Sequence, residues 1–212
     1  SDDSKPDDDL PEWEPLTPED IEDEAIRGDF MLRWAVVLLA FLLGCREIGE
    51  TMTLVRVRTG EAIAANSFWP PAADEFSYSA GDRAWVNPAW LFDLILSGIW
   101  SVGGDIALSL LTALIAAITF YFLVNISRKD MPTWWTATCA AIALLMAQAQ
   151  FTALPELITL LGTVWMLRGL VRWSESGESR ELWCLAGSLA VWSNLDPRAF
   201  IGWLILAAFA GG

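Results

Sequence analysis

The chain has 212 residues, 54% of them hydrophobic and 19% charged, with 27 acidic side chains against 13 basic ones and a formal net charge of -14. That balance argues against a nucleic-acid partner. The complete lack of histidine removes imidazole acid–base catalysis, Ser-His-Asp triads and most zinc sites.

Nearly half of the acids fall in residues 1–29, with Pro6, Pro11, Pro15 and Pro18 among them and few apolar residues. This composition predicts a mostly disordered tail, on the cytoplasmic side, serving either as a solvated segment or as a docking site for a partner. Its end, TPEDIEDEAI, has the signature of a helix start. Thr17 is the N-cap, Pro18 stands in the first turn, and acids follow at the positive end of the dipole.

From residue 30 to the end the pattern changes to long apolar runs, read as one transmembrane domain. The expected fold is an all-α polytopic membrane protein with about six transmembrane helices. The spans are expected at residues 31–45, 106–126, 134–151, 154–171, 182–195 and 200–212. An interfacial helix and an ordered outer loop are expected between the first two. The loop runs from residue 46 to 104, polar as far as Asn87. The alternation Val55-Arg56-Val57-Arg58 reads as a strand with both arginines on one face, closed by a turn at Thr59-Gly60. Residues 88–100, PAWLFDLILSGIW, read as the interfacial helix, and Gly103-Gly104 as a break.

Lys and Arg near the span ends favour a cytoplasmic N-terminus, which puts the loop outside. Trp34, Trp134, Trp135, Trp173 and Trp183 fall where an aromatic belt would lie. Cys45, Cys139 and Cys184 have no metal or disulfide spacing and are expected as buried packing thiols. Asn125, Gln148 and Gln150 are expected to make interhelical hydrogen bonds rather than line a permeation path.

The loop holds the residues that could carry chemistry. Glu47 and Glu50 stand just past the first span, where a low dielectric would make either a general base. Arg56 and Arg58 could hold a phosphate bidentately. Phe76, Tyr78, Trp85 and Trp90 surround Asp74, Glu75, Asp82 and Asn87, a setting suited to a sugar ring. The same residues also fit a rim of solvated charges with aromatics anchored at the interface.

The order of motifs resembles the N-terminal half of bacterial GT-C-type membrane glycosyltransferases. It consists of an acid after the first span, TGEAI at 59–63, DEFSYS at 74–79, then Trp85-Val86-Asn87 with Trp90-Leu91. FTALPELITLL at 151–161 and VWSNLDPRAFIG at 191–202 continue it. The resemblance implies sugar transfer from a polyprenyl-phosphate donor at the outer face of the bacterial inner membrane. It further implies Glu50 as the catalytic carboxylate, serving as base or metal ligand, with Glu47 second and Asp74 as a structural or site residue. Arg56 and Arg58 would lie at the donor phosphate, with Trp85, Asn87 and Trp90 at the substrate. Where relatives carry a second acid and a histidine, this chain has Met52 and Arg56. No cofactor is evident, and a divalent metal would have no DxD-like motif to hold it. The alternative is a non-catalytic subunit that retains the fold and assembles with membrane lipids and other membrane subunits.

Overall fold

A computed structural model describes residues 18–47, 49, 51–71, 85–126, 132–153 and 155–211. Among them it contains seven α-helices and no strand. They are α1 (Pro18–Gly44), α2 (Thr51–Ala65), α3 (Trp90–Val124), α4 (Thr133–Ala147), α5 (Pro155–Ser176), α6 (Ser179–Leu195) and α7 (Phe200–Gly211).

α1 is described from Pro18 onward, so residues 18–29 are helical, in keeping with the helix-start pattern of TPEDIEDEAI. α1 and the second half of α3 pack antiparallel. Gly44 lies so close to Ala113 that a Cβ would sit 2.5 Å from its Cα. Toward the other end, the rings of Trp34 and Tyr121 stand 6.3 Å apart. Val36 and Ala40 of α1, Phe120 of α3, Leu144 of α4 and Leu157 of α5 form the main core. Phe151, just after α4, closes it with an edge-on contact to Phe120 at 6.0 Å.

The expected strand and turn at residues 55–60 are corrected: this stretch is α2. Four of its five buried positions, Thr53, Val57, Gly60 and Ile63, recur every three or four residues, with Thr59 beside them, which is the period of a helix and not of a strand. On a helix, side chains two apart diverge by about 200°, so Arg56 and Arg58 do not share a face. Gly60 continues the helix instead of ending a turn. It lets α2 lie directly on α3, since a Cβ there would meet the Asp93 carbonyl oxygen at 2.0 Å.

The interfacial helix and the following span form α3, interrupted where the glycine pair predicts. Gly103 and Gly104 have non-helical dihedrals, and Gly104 has φ +56°, a conformation in which a Cβ is strained. The six spans are not supported. Among the described residues only α3 is long and apolar enough to cross a bilayer. α4 and the stretch Pro197–Gly211 are apolar but short. α6 has 17 residues, and α1 and α5 carry charged groups within their length. All three cysteines are exposed, contrary to their expected burial. The Asn125 side-chain N–H, just past the end of α3, donates back to the Tyr121 carbonyl of that helix rather than to another helix.

The helices alternate in direction, which gathers the polar groups at two ends. One end holds the close of α1, all of α2, the start of α3, and the α4–α5 and α6–α7 connections. Arg198 pairs there with Glu156 at 2.8 Å. Asp196 caps the short turn into α7 by accepting from the Arg198 N–H at 3.0 Å and from the Thr159 hydroxyl. The opposite end holds the start of α1, the close of α3 and the α5–α6 connection. The middle of the bundle between them is apolar.

Candidate functional site

Two constructions occupy the first of these ends. One is a network centred on Asp93, whose side chain is 2% exposed. Arg56 Nη1 donates to Asp93 Oδ1 at 2.9 Å, and Asn87 Nδ2 donates to Asp93 Oδ2 at 2.7 Å. The Asn87 side-chain oxygen in turn accepts from the Ala89 backbone N–H at 3.0 Å. That closes an Asx turn, in which a short amide stands in for a backbone acceptor just before α3. The Trp90 indole N–H donates to Asn194 Oδ1 at 3.2 Å and ties the start of α3 to the close of α6. The motif Trp85-Val86-Asn87 with Trp90 is thus the joint where α2, α3 and α6 meet.

The second is a cavity of about 390 Å³ lined by Arg46, Glu47, Thr53, Thr112, Phe151 and Thr152 with Ala153. It opens where α1 stops at Gly44 and the chain passes into α2, and its far wall is the α4–α5 connection. Arg46 and Glu47 are exposed, so their charges are hydrated at its mouth. Thr53 is completely buried, and its hydroxyl has no hydrogen-bond partner among the described residues. Such a group costs roughly 1–3 kcal/mol unless something else meets it. The Thr112 hydroxyl donates to the Leu108 carbonyl at 3.0 Å, leaving its oxygen as an acceptor. One cation, one carboxylate, hydroxyls and the Phe151 ring therefore converge on a single space. It could take a charged, hydroxyl-rich group with an apolar flank.

Of the residues singled out from the sequence, the structure brings Glu47 to this cavity. Arg56, Asn87 and Trp90 belong to the Asp93 joint. Arg58 is exposed and donates to Glu61 at 2.7 Å, one turn along α2. Trp85 is half-buried. Glu50 and Asp74 lie outside the described residues, as do Phe76 and Tyr78. Sequence reasoning missed Thr53, Thr112 and Thr152, since single threonines in apolar runs carry no motif. It also missed Asp93 as the partner of Arg56. An acid on the apolar stretch LFDLIL, with an arginine 37 residues earlier, was the available signal.

Among the described residues no three His, Cys, Asp or Glu side chains cluster so as to hold a metal ion. Hard cations take several oxygen ligands, with carboxylates foremost. The described donors of the cavity, one carboxylate beside a guanidinium and neutral hydroxyls, do not fit that need. No family model, curated protein or solved structure matches the chain.

Proposed function

We propose that the protein is an integral membrane protein of GT-C type. On this reading the cavity at Arg46 and Glu47 binds a polyprenyl-phosphate sugar at the outer face of a bacterial inner membrane, with the N-terminus inside. The observation that carries this is the make-up of that cavity at the end of the first apolar helix. A guanidinium suits a phosphate, hydroxyls and an aromatic face suit a sugar, and a carboxylate suits an acceptor hydroxyl. Membrane residence is supported by α3 and by the apolar side chains left uncovered on almost every helix. Ile106 is 82% exposed, Met146 79% and Trp203 64%, far more than a water-soluble monomer leaves bare.

In the proposed reaction the acceptor hydroxyl oxygen bonds to the anomeric carbon. The bond from that carbon to the phosphate oxygen breaks, and the lipid phosphate leaves with the electron pair, its charge met by Arg46. Glu47 takes the proton of the acceptor hydroxyl. A general base of this kind contributes about 10²–10⁴-fold. The test is transfer from a radiolabelled polyprenyl-phosphate sugar by the reconstituted chain. Glu47→Gln is expected to lose about two orders of magnitude or more in kcat, and Arg46→Gln to weaken donor binding. Equal turnover by wild type and Glu47→Gln would remove Glu47 from the reaction.

The second reading is a non-catalytic membrane subunit that keeps the fold. It is favoured by the internal pairing of Arg56, Asn87 and Trp90, which spends those groups on structure. Isolation in a larger complex, with neither donor binding nor turnover, would decide for it.

A further inference from the structure

A groove runs along α5 between α3 and α6. Its cavity, of about 350 Å³, is walled by Phe122, Ile158, Leu161, Trp165, Val191 and Leu195. Ser188 supplies its one hydroxyl, which is spent on the Leu185 carbonyl at 2.9 Å. Close approaches fix the walls. A Cβ on Gly162 would meet the Trp192 ring at 2.7 Å, and one on Gly169 the Leu185 side chain at 2.4 Å, so α6 lies directly on α5. On the other side Phe122 meets Trp165 edge to face at 5.1 Å. The same Trp165 lines a smaller cleft, with Arg168, Arg172, Glu181 and Cys184 around it. We propose that groove and cleft together hold one anionic phospholipid, a hydrocarbon chain along the groove and the phosphate across Arg168 and Arg172. The inference rests on membrane residence and not on sugar transfer, whose cavity lies at the other end of the bundle.

Three observations carry this. The first is the order of groups along α5. Trp165 is seven residues past Ile158, and Arg172 seven past Trp165, about 10 Å each at 1.5 Å per residue. The apolar wall faces the middle of the bundle and the guanidiniums stand toward its end, as the chain and headgroup of a bilayer lipid require. Trp183, 76% exposed near the start of α6, marks the same level, where interfacial aromatics gather. The second is that the positive charge is open. Among the described residues neither arginine makes a hydrogen bond or a salt bridge. The Arg168 guanidinium stands 5.2 Å from the centre of the Phe122 ring, which steadies it. Of its nitrogens only Nη1 is shut off from solvent without a partner, so Nε and Nη2 remain to meet an oxygen. Arg172 is exposed. Like charges four apart on a helix repel, and an oxyanion between them relieves that repulsion while taking paired N–H donors.

The third is the charge balance. Two guanidiniums and the Glu181 carboxylate leave the cleft with one net positive charge, which the single negative charge of a phosphodiester matches. Glu175 and Glu178, on the α5–α6 connection, are exposed and do not line it. At about 30 Å³ the cleft admits about two water-sized atoms. Phosphate oxygens therefore enter while the diester lies across the mouth. Basic pockets between membrane helices take anionic headgroups in this way. A zwitterionic headgroup brings an ammonium that the two arginines repel.

The experiment is thermal unfolding of the purified, delipidated full chain in mild detergent. Long-chain phosphatidylglycerol, phosphatidylcholine or soluble glycerol phosphate is added in turn. A ligand at a hundred times its Kd should raise Tm by about 5–10 °C in a chain of this size. The expected result is a rise with phosphatidylglycerol that exceeds both others. That excess should vanish in the double variant Arg168→Gln, Arg172→Gln. It should shrink in Val191→Trp, which fills the groove from its open side, and persist in Arg27→Gln, a charge-matched change at the start of α1. Equal shifts with the two lipids, an undiminished preference in the double variant, or an equal loss in Arg27→Gln would overturn the proposal. A comparable rise with glycerol phosphate would overturn it in favour of a soluble phosphate. Should the double variant not fold, the exposed Arg172→Gln decides, and an unchanged preference there counts against it. Membrane residence is read separately, by fractionating cells that express the chain.

Discussion

Asp93→Ala tests the claim that the Trp-Val-Asn-Pro-Ala-Trp segment is a structural joint. The substitution removes the acceptor of two bonds, from Arg56 at 2.9 Å and from Asn87 at 2.7 Å. Hydrogen bonds to a charged group contribute about 1.5–3 kcal/mol each, and breaking a buried ion pair by deleting one member costs about 3–5 kcal/mol. Arg56 retains 30% of its side-chain exposure and can recover part of its hydration, which lowers the figure. The expectation is a loss of about 3 kcal/mol, or about 6–12 °C in Tm for a chain of this length. The assay is unfolding in mixed detergent micelles followed by circular dichroism, run as a cycle with Arg56→Met and the double variant. The coupling should be about 1–2 kcal/mol, above an exposed pair and below a fully buried one. A loss under about 0.5 kcal/mol, of the size seen at ordinary surface positions, or additive single variants would refute the joint.

Gly60→Val should be more damaging than its small change in size suggests, because the new Cβ would meet the backbone of Asp93, which cannot rotate away. Overpacking of this kind costs about 1–3 kcal/mol or more, and the same unfolding assay reads it. The exposed cysteines report on the surroundings of the bundle. If lipid covers its middle, Cys139 on α4 should resist a charged maleimide in intact membranes and react once detergent is added. Cys45, beside the outer cavity, should then label from outside, and Cys184, near the start of α6, only from inside. Uniform labelling of all three in sealed vesicles would argue against the proposed placement.

Much of the helical layout was legible locally. Pro18 and the acids that follow it announced a helix over the described part of that segment, because first-turn preferences are a matter of neighbours along the chain. Gly103-Gly104 marked the interruption of α3 for the same reason: a φ of +56° is a demand on one residue. Pro155 and the Asp196-Pro197-Arg198 turn likewise fell at the starts of α5 and α7. α2 was misread because its inward face is built from Thr53, Val57, Gly60 and Ile63. Two of these four have no apolar side chain to show, while the Val-Arg alternation imitates a strand.

By itself, then, the sequence determined a helical chain with an acidic start, interruptions at defined glycines and prolines, and no imidazole chemistry. Those properties depend on residue type and on spacing within a few turns. Only the tertiary structure decided that Arg56 meets Asp93 rather than a ligand, and that Glu47 joins threonines from α2, α3 and the α4–α5 connection. Each of these meetings depends on how antiparallel helices slide and rotate against one another. That register is set by close approaches such as Gly44 on Ala113 and Gly60 on Asp93, and no local pattern in the chain encodes it.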